Sequence, residues 1–117
     1  MSQDIKITVI TVTFNAREAL ERTIQSVIRQ DYSALEYIII DGGSQDGSLE
    51  LIKQYSPQLA HWTSEPDRGI YDAMNKGIAC AQGEYCIFMN AGDTFTDEHV
   101  VSRVFSELHP MSSTAIS

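Results

Sequence analysis

Glu84-Tyr85-Cys86-Ile87-Phe88-Met89-Asn90-Ala91-Gly92-Asp93 is the stretch that decides how the chain is read. The apolar run from Tyr85 to Met89 predicts a buried strand, and it stops at a polar turn ending in a carboxylate. In an open α/β sheet, ligands bind beyond the carboxyl ends of the strands. A carboxylate delivered there is placed to hold a divalent ion and, through it, a phosphate. Two earlier apolar runs end in the same manner, at Asn15 and Asp41. Three strand ends are therefore expected to build one nucleotide site.

Working outward, Ile5 to Phe14 is dense in β-branched residues and predicts the first strand. Asn15 is expected to N-cap a helix running from Ala16 to Arg29, whose apolar positions Leu20, Ile24, Val27 and Ile28 have helical spacing. Leu35 to Ile40 predicts a second strand ending at Asp41, with Gly42-Gly43 permitting a tight turn. A helix from Leu49 to Tyr55 stops before Pro57. Leu59 to Ser64 predicts a short third strand, and Ile70 to Ala81 a helix with Gly83 as its C-terminal stop. A last helix is expected from Asp97 to Leu108. The alternation predicts an α/β, Rossmann-like, mostly parallel sheet with helices on both faces. Residues 1–117 are expected to form a single nucleotide-binding domain.

Composition sets limits on function. The 117 residues are 43% hydrophobic and 21% charged, which suits an ordinary globular core. A net charge of −8 with scattered Lys and Arg argues against nucleic acid as partner and against a polybasic lipid patch. Cys80 and Cys86 have neither redox nor zinc spacing, and Cys86 is expected to be a buried small hydrophobe. No apolar stretch approaches the roughly 20 residues that span a bilayer, and the N-terminus lacks signal-peptide character. A cytoplasmic protein is expected, with peripheral contact at the inner membrane through other segments. The polar tail after Pro110 suggests the N-terminal portion of a longer enzyme. Apolar sheet surface left bare by that division would favour self-association.

Each polar cluster has two readings. Asp41-Gly42-Gly43-Ser44 with Asp46-Gly47 either meets a base or ribose or is an ordinary strand-to-helix turn. Asn90 to Asp93 either binds Mg2+ or Mn2+ at a diphosphate, through Asp93, or is a polar turn. Arg68, beside a helix start, is placed to face a phosphate or a base. Asp72 and Lys76 are read as a solvated i,i+4 pair, and mid-helix Asn75 as bonding across to a neighbouring loop. His61, His99 and His109 share no spacing that suggests a metal site or a triad. Neither G-x-G-x-x-G nor a Walker A sequence occurs, which disfavours dinucleotide oxidoreductases and P-loop enzymes. Nucleotidyl transfer would want a glycine-rich, basic loop after the first strand, and there is none.

Taken in order, four segments resemble the family 2 glycosyltransferases, an inverting group with the GT-A fold. They are Ile10 to Asn15, Ile38 to Ser48, Asp67 to Gly77 and Gly83 to Asp93. Within that family, Asp67-Arg68-Gly69-Ile70-Tyr71-Asp72-Ala73-Met74-Asn75 is similar to bacterial exopolysaccharide and colanic-acid-type transferases. The resemblance implies that Thr11, Thr13 and Asn15 line the nucleotide pocket, that Asp41 contacts the base (usually uracil) and that Arg68 lies beside the nucleotide. It implies that Asn90 to Asp93 occupy the Asp-x-Asp position, where Asn90 bonds the ribose and Asp93 alone keeps a carboxylate for Mg2+ or Mn2+. The implied partners are a nucleoside-diphosphate sugar donor, with a UDP-sugar favoured, and a saccharide or lipid-linked saccharide acceptor. An inactive nucleotide-binding module is the alternative. The resemblance assigns no catalytic base to this chain.

Overall fold

The computed structural model describes residues 5–108. Four strands, β1 (Ile7–Thr13), β2 (Leu35–Asp41), β3 (His61–Ser64) and β4 (Tyr85–Asn90), alternate with four helices. These are α1 (Arg17–Ile28), α2 (Ser48–Tyr55), α3 (Ile70–Cys80) and α4 (Val100–Leu108). All strand pairs are parallel, in the order β3-β2-β1-β4. The order doubles back at β1, so a binding crevice is expected beyond the carboxyl ends of β1 and its two neighbours.

The sheet is covered on both faces because β1 and the second half of β2 are apolar on both. All seven residues of β1 are buried, as strands sandwiched between helix layers require. Ile10, Val12, Ile38 and Ile40 point to one side and pack with Ala73 of α3. Val9, Tyr37 and Ile39 point to the other and pack with Leu20 and Ile24 of α1 and Leu51 and Ile52 of α2. Ile7, Tyr32 and Val101 form a third cluster that seats α4. There the rings of Tyr32 and Phe105 lie 5.2 Å apart.

Several local expectations need correction. β4 is not a buried strand. It is the sheet edge, and Cys86, Phe88 and Asn90 alternate outward on an uncovered face while Met89 packs inward. Cys86 is therefore exposed rather than buried. β3 starts at His61 because the Leu59 N–H closes a 3-10 turn onto the Ser56 carbonyl at 3.0 Å. α4 starts at Val100, since Asp97 acts ahead of it and accepts the His99 N–H at 2.8 Å. Asn75 is exposed, and Lys76 makes the loop contact in its place, donating to the Pro66 carbonyl at 3.3 Å. Lys76 also pairs with Glu65 at 3.4 Å and, as expected of an i,i+4 neighbour, with Asp72 at 3.6 Å. His109 lies outside the described residues.

Gly83 is not a left-handed cap either. α3 ends in extended backbone at Ala81. Gly83 is small because its chain passes against β1: its N–H donates to Thr8 Oγ1 at 2.9 Å, and an added Cβ would lie 2.4 Å from that oxygen. The same corner holds Glu36, whose Oε1 accepts from Thr8 Oγ1 at 2.7 Å and from the Gln82 N–H at 2.8 Å. Burial works to raise the Glu36 carboxyl, but these two bonds and the nearby Lys6 charge outweigh it and hold it below the usual range.

Candidate functional site

The end of β2 is built around Asp41, which is fully buried. Its carboxylate accepts the Ser44 N–H at 2.9 Å, the Ser44 hydroxyl at 2.5 Å and the Ser64 hydroxyl at 2.7 Å. A buried carboxylate needs such partners. Asp41 thus fixes the β2–α2 turn and joins it to the end of β3, and it presents no surface toward the crevice.

Asn15 does not cap α1. The cap position is Ala16, with no side-chain bond, and the Arg17 N–H is taken by Asp46 Oδ2 of the β2–α2 loop at 3.0 Å. Asn15 sits at φ 48, in the left-handed region that Asn tolerates. Its side-chain oxygen accepts the Gln45 N–H at 2.9 Å, and its own N–H donates to Ser44 Oγ at 2.6 Å. Asn15 and Asp46 therefore lace the β1–α1 loop to the β2–α2 loop. The Ser48 hydroxyl, followed by the backbone N–H groups of Arg17 and Ser48, holds the Asp46 carboxyl below its ordinary value.

The turn after β4 is closed on itself. Asp93 Oδ2 accepts the Asn90 N–H, and the Asp93 N–H donates to the Asn90 carbonyl, each at 2.9 Å. Two residues of α1 seat this turn and were not foreseen. Thr23 Oγ1 accepts the Gly92 N–H at 2.8 Å, and Ser26 Oγ accepts the Phe95 N–H at 3.2 Å. Both are buried on the apolar face of α1. That is the signal which marks them: hydroxyls at positions where helical spacing with Leu20, Ile24 and Val27 calls for apolar side chains.

Between these loops lies an open cleft. Val12, Thr13, Phe14, Asp67, Ala73 and Asn90 are among the residues lining a hollow of about 360 Å3. It continues into a second of about 500 Å3 that shares Phe14, Asp67 and Gly69 and adds Gly42, Gly43 and Pro66. Thr13 and Asn90, two of the expected site residues, are thus brought together. The Thr13 hydroxyl is buried without a partner among the described residues. Thr11 is elsewhere: it is fully buried and hydrogen-bonded to the Tyr37 hydroxyl at 2.8 Å, so it supports the strand and does not line the cleft. Asn15 opens onto a neighbouring hollow with Arg17, Arg22 and Asp46. Arg68 is exposed at the start of α3, its N–H bonded to Asp72 Oδ2 at 2.9 Å. Phe14 and Asp67 were not singled out as site residues, yet Phe14 is 61% exposed at the cleft wall.

Among the described residues, no group of three or more His, Cys, Asp or Glu side chains converges as a metal site. Asp93 is exposed, with one carboxylate oxygen engaged by the Asn90 N–H. One carboxylate fits Mg2+ or Mn2+ where substrate phosphates supply the other oxygens, and does not fit an ion held by protein alone.

The model of glycosyl transferase family 2 matches residues 8–109. The chain belongs to this family. An uncharacterized glycosyltransferase of Mycobacterium tuberculosis is 43% identical over 103 residues, covering 87% of this chain and 39% of that protein. A cholesterol galactosyltransferase of Borreliella burgdorferi is 35% identical over 91 residues, covering 76% of this chain and 25% of that protein. The chain thus spans about two-fifths or less of these family 2 relatives. Among solved structures, the mannosyltransferase of Pyrobaculum calidifontis in complex with GDP-Man and Mn2+ superposes with a TM-score of 0.83 at 24% identity, over 92% of this chain and 33% of that one. Staphylococcus aureus TarS in complex with UDP-GlcNAc gives 0.82 at 19% identity, over 92% and 32%. These likenesses establish the Rossmann-like GT-A fold expected from the sequence.

Proposed function

We propose that this family 2 chain supplies the donor site of a glycosyltransferase that moves a sugar from a nucleoside-diphosphate sugar to a saccharide or lipid-linked saccharide, with inversion. The observation carrying this reading is the cleft itself. An exposed aromatic wall at Phe14 and a polar end at Asn90 open beside the Asp93 turn, all at the carboxyl ends of adjacent strands. Inversion is one in-line displacement. The acceptor oxygen bonds to the anomeric carbon as the bond from that carbon to the diphosphate breaks. The electron pair leaves with the diphosphate, and the hydroxyl proton passes to a carboxylate base. No residue of this chain is assigned as that base. Asn90 would bond the ribose and Arg68 the diphosphate. A divalent ion shared between Asp93 and the phosphates would neutralise charge on the leaving group.

The relatives named for galactosyl transfer to cholesterol and for PGL/p-HBAD biosynthesis support an acceptor anchored to lipid or destined for the cell surface. This reading takes the acceptor to belong to bacterial surface polysaccharide or glycolipid synthesis and the protein to work in the cytoplasm, at the inner membrane. Exposed Ile70, Tyr71 and Ile78 on α3 and Phe88 on β4 favour self-association of the chain. The family resemblance favours a UDP-sugar, although the carboxylate expected to read uracil, Asp41, is buried and fully bonded.

Transfer and hydrolysis assays with a panel of UDP-, GDP- and dTDP-sugars test the proposal. Turnover with one class is the expected result. Binding with neither transfer nor hydrolysis would replace it with the nucleotide-binding module, a reading that the chain's coverage of only 39% of a relative keeps in play.

A further inference from the structure

We propose that Asp67 is the base-reading residue of the cleft and that it selects guanine, so the donor is a GDP-sugar. The inference rests on the donor-site reading above and replaces its UDP-sugar preference, which stood on Asp41. It starts from Gly42, where the chain turns out of β2 directly after buried Asp41. With no side chain, Gly42 leaves a bare floor. A Cβ built there would meet Asp67 Oδ2 at 3.0 Å and Phe14 Cδ1 at 3.4 Å. A carboxylate from the β3–α3 loop and an aromatic ring from the end of β1 therefore converge over the same backbone atom.

Asp67 is held there. Its Oδ1 accepts the Gly69 N–H at 3.1 Å, which ties the side chain to its own loop. Oδ2 lies over the Gly42 floor, 3.0 Å from where a Cβ would be. Phe14, 61% exposed, offers a flat apolar face that a base can stack on. Both residues line both halves of the cleft. Among the described residues, the salt bridges involve other acids and leave Asp67 without a cationic partner.

The chemistry of the bases then decides between donors. An ionised carboxylate only accepts hydrogen bonds. Guanine places two donors side by side, its ring N1–H and its exocyclic amine. Uracil has one N–H between two carbonyl oxygens, and those oxygens would face the carboxylate with like partial charge. Adenine and cytosine each pair one amine donor with a ring-nitrogen acceptor. Guanine is thus the base whose pairing edge matches two carboxylate oxygens, with Oδ1 shared between the Gly69 N–H and the ligand. Groups complementary to a substrate's donors discriminate against analogues that lack them, since the site's polar atoms are then left unpaired.

Titration calorimetry of the purified protein with GDP, UDP and IDP, in Mn2+, tests this. IDP is guanosine diphosphate without the exocyclic amine. The expected result is GDP bound at least ~10-fold more tightly than either UDP or IDP, as the loss of one charge-assisted hydrogen bond implies. In Asp67→Asn the amide offers one acceptor and one donor, so the GDP and IDP affinities should converge. Circular dichroism checks that the variant is folded, and the wild-type GDP to IDP ratio needs no variant at all. UDP bound as tightly as GDP, equal GDP and IDP affinities, or an unchanged ratio in Asp67→Asn would overturn the assignment and leave the donor-site reading standing. No binding of any nucleoside diphosphate would overturn both.

Discussion

The Ser64 hydroxyl donates to Asp41 Oδ2 at 2.7 Å, and this bond joins the last residues of β3 and β2 through a carboxylate with no solvent exposure. The two residues are also register partners across the sheet. Ser44 satisfies the rest of the group from the following turn. The crevice floor is therefore shaped by an internal polar knot, and the positions that line the cleft are those displaced from it, Gly42 and Asp67.

Asp41→Ala is expected to act on folding. It leaves the Ser44 N–H and two hydroxyls without their carboxylate partner at half-buried positions, at about 1–3 kcal/mol for each group that water cannot reach. Urea denaturation should show a loss of about 3 kcal/mol or more. Unchanged stability with weakened nucleotide binding would instead make Asp41 a ligand contact.

Asp93 carries the metal prediction. Nucleoside diphosphate should bind more tightly with Mn2+ or Mg2+ than with EDTA, and Asp93→Ala should bind equally in both. Calorimetry with equal wild-type affinity under the two conditions would remove the metal from the site.

Much of the fold was legible because its signals are local. Ile7 to Thr13 is β-branched throughout, and α1 and α3 carry clear helical spacing. The failures are tertiary. Tyr85 to Met89 is as apolar as β2, but strand order decides burial, and the edge position of β4 exposes Cys86 and Phe88. Asn15 has the right identity for a helix cap, yet the neighbouring loop offers it the Gln45 N–H, and the Arg17 N–H of α1 receives Asp46 in exchange. Asp67 was hidden for the same reason: its meaning depends on Gly42, 25 positions earlier, having no side chain.

The docking of α4 should depend on pH. His99 Nδ1 and Asp31 Oδ2 are 2.5 Å apart. The hydrogen bond and charge of Asp31 raise the imidazole above its ordinary value, and the bond to His99 lowers the Asp31 carboxyl below its own. The imidazole contribution is complete below its unfolded value and is lost as pH rises through the raised one. The carboxylate contribution is present above its unfolded value and is lost as pH falls through the lowered one. Support for α4 should therefore be strongest at mildly acidic pH, between the two unfolded values. Hydrogen exchange of the α4 amides across pH, compared with His99→Ala, reads this directly; an identical profile in the variant would refute it.

Gly77→Ala sets propensity against packing. Ala in a helix interior gains about 1 kcal/mol over Gly. The added Cβ, however, would lie 2.5 Å from Ile10 Cγ2, and Ile10 is fully buried. Overpacking of this kind costs about 1–3 kcal/mol, so thermal denaturation should show a net loss on the order of 1 kcal/mol. A stabilised variant would mean that α3 can move off the sheet without cost.

Thr23 provides a test of how the Asn90 to Asp93 turn is held. Its hydroxyl accepts the Gly92 N–H at 2.8 Å and donates to the Ala19 carbonyl at 3.2 Å. Thr23→Val keeps the shape and removes the acceptor, which leaves the Gly92 N–H unpaired at about 1–3 kcal/mol. The carbonyl of Ala19 loses less, because it lies within α1 and keeps its place in the helix ladder. The variant should be less stable, and the Asn90 to Asp93 turn should lose its seat on α1. Metal-dependent nucleotide affinity should then fall although Thr23 touches no ligand, while metal-independent affinity stays near that of the wild type. Thr23→Ser restores the acceptor and should recover both properties. If Thr23→Val binds nucleotide and metal as the wild type does, the turn is held by its own Asn90–Asp93 bonds alone.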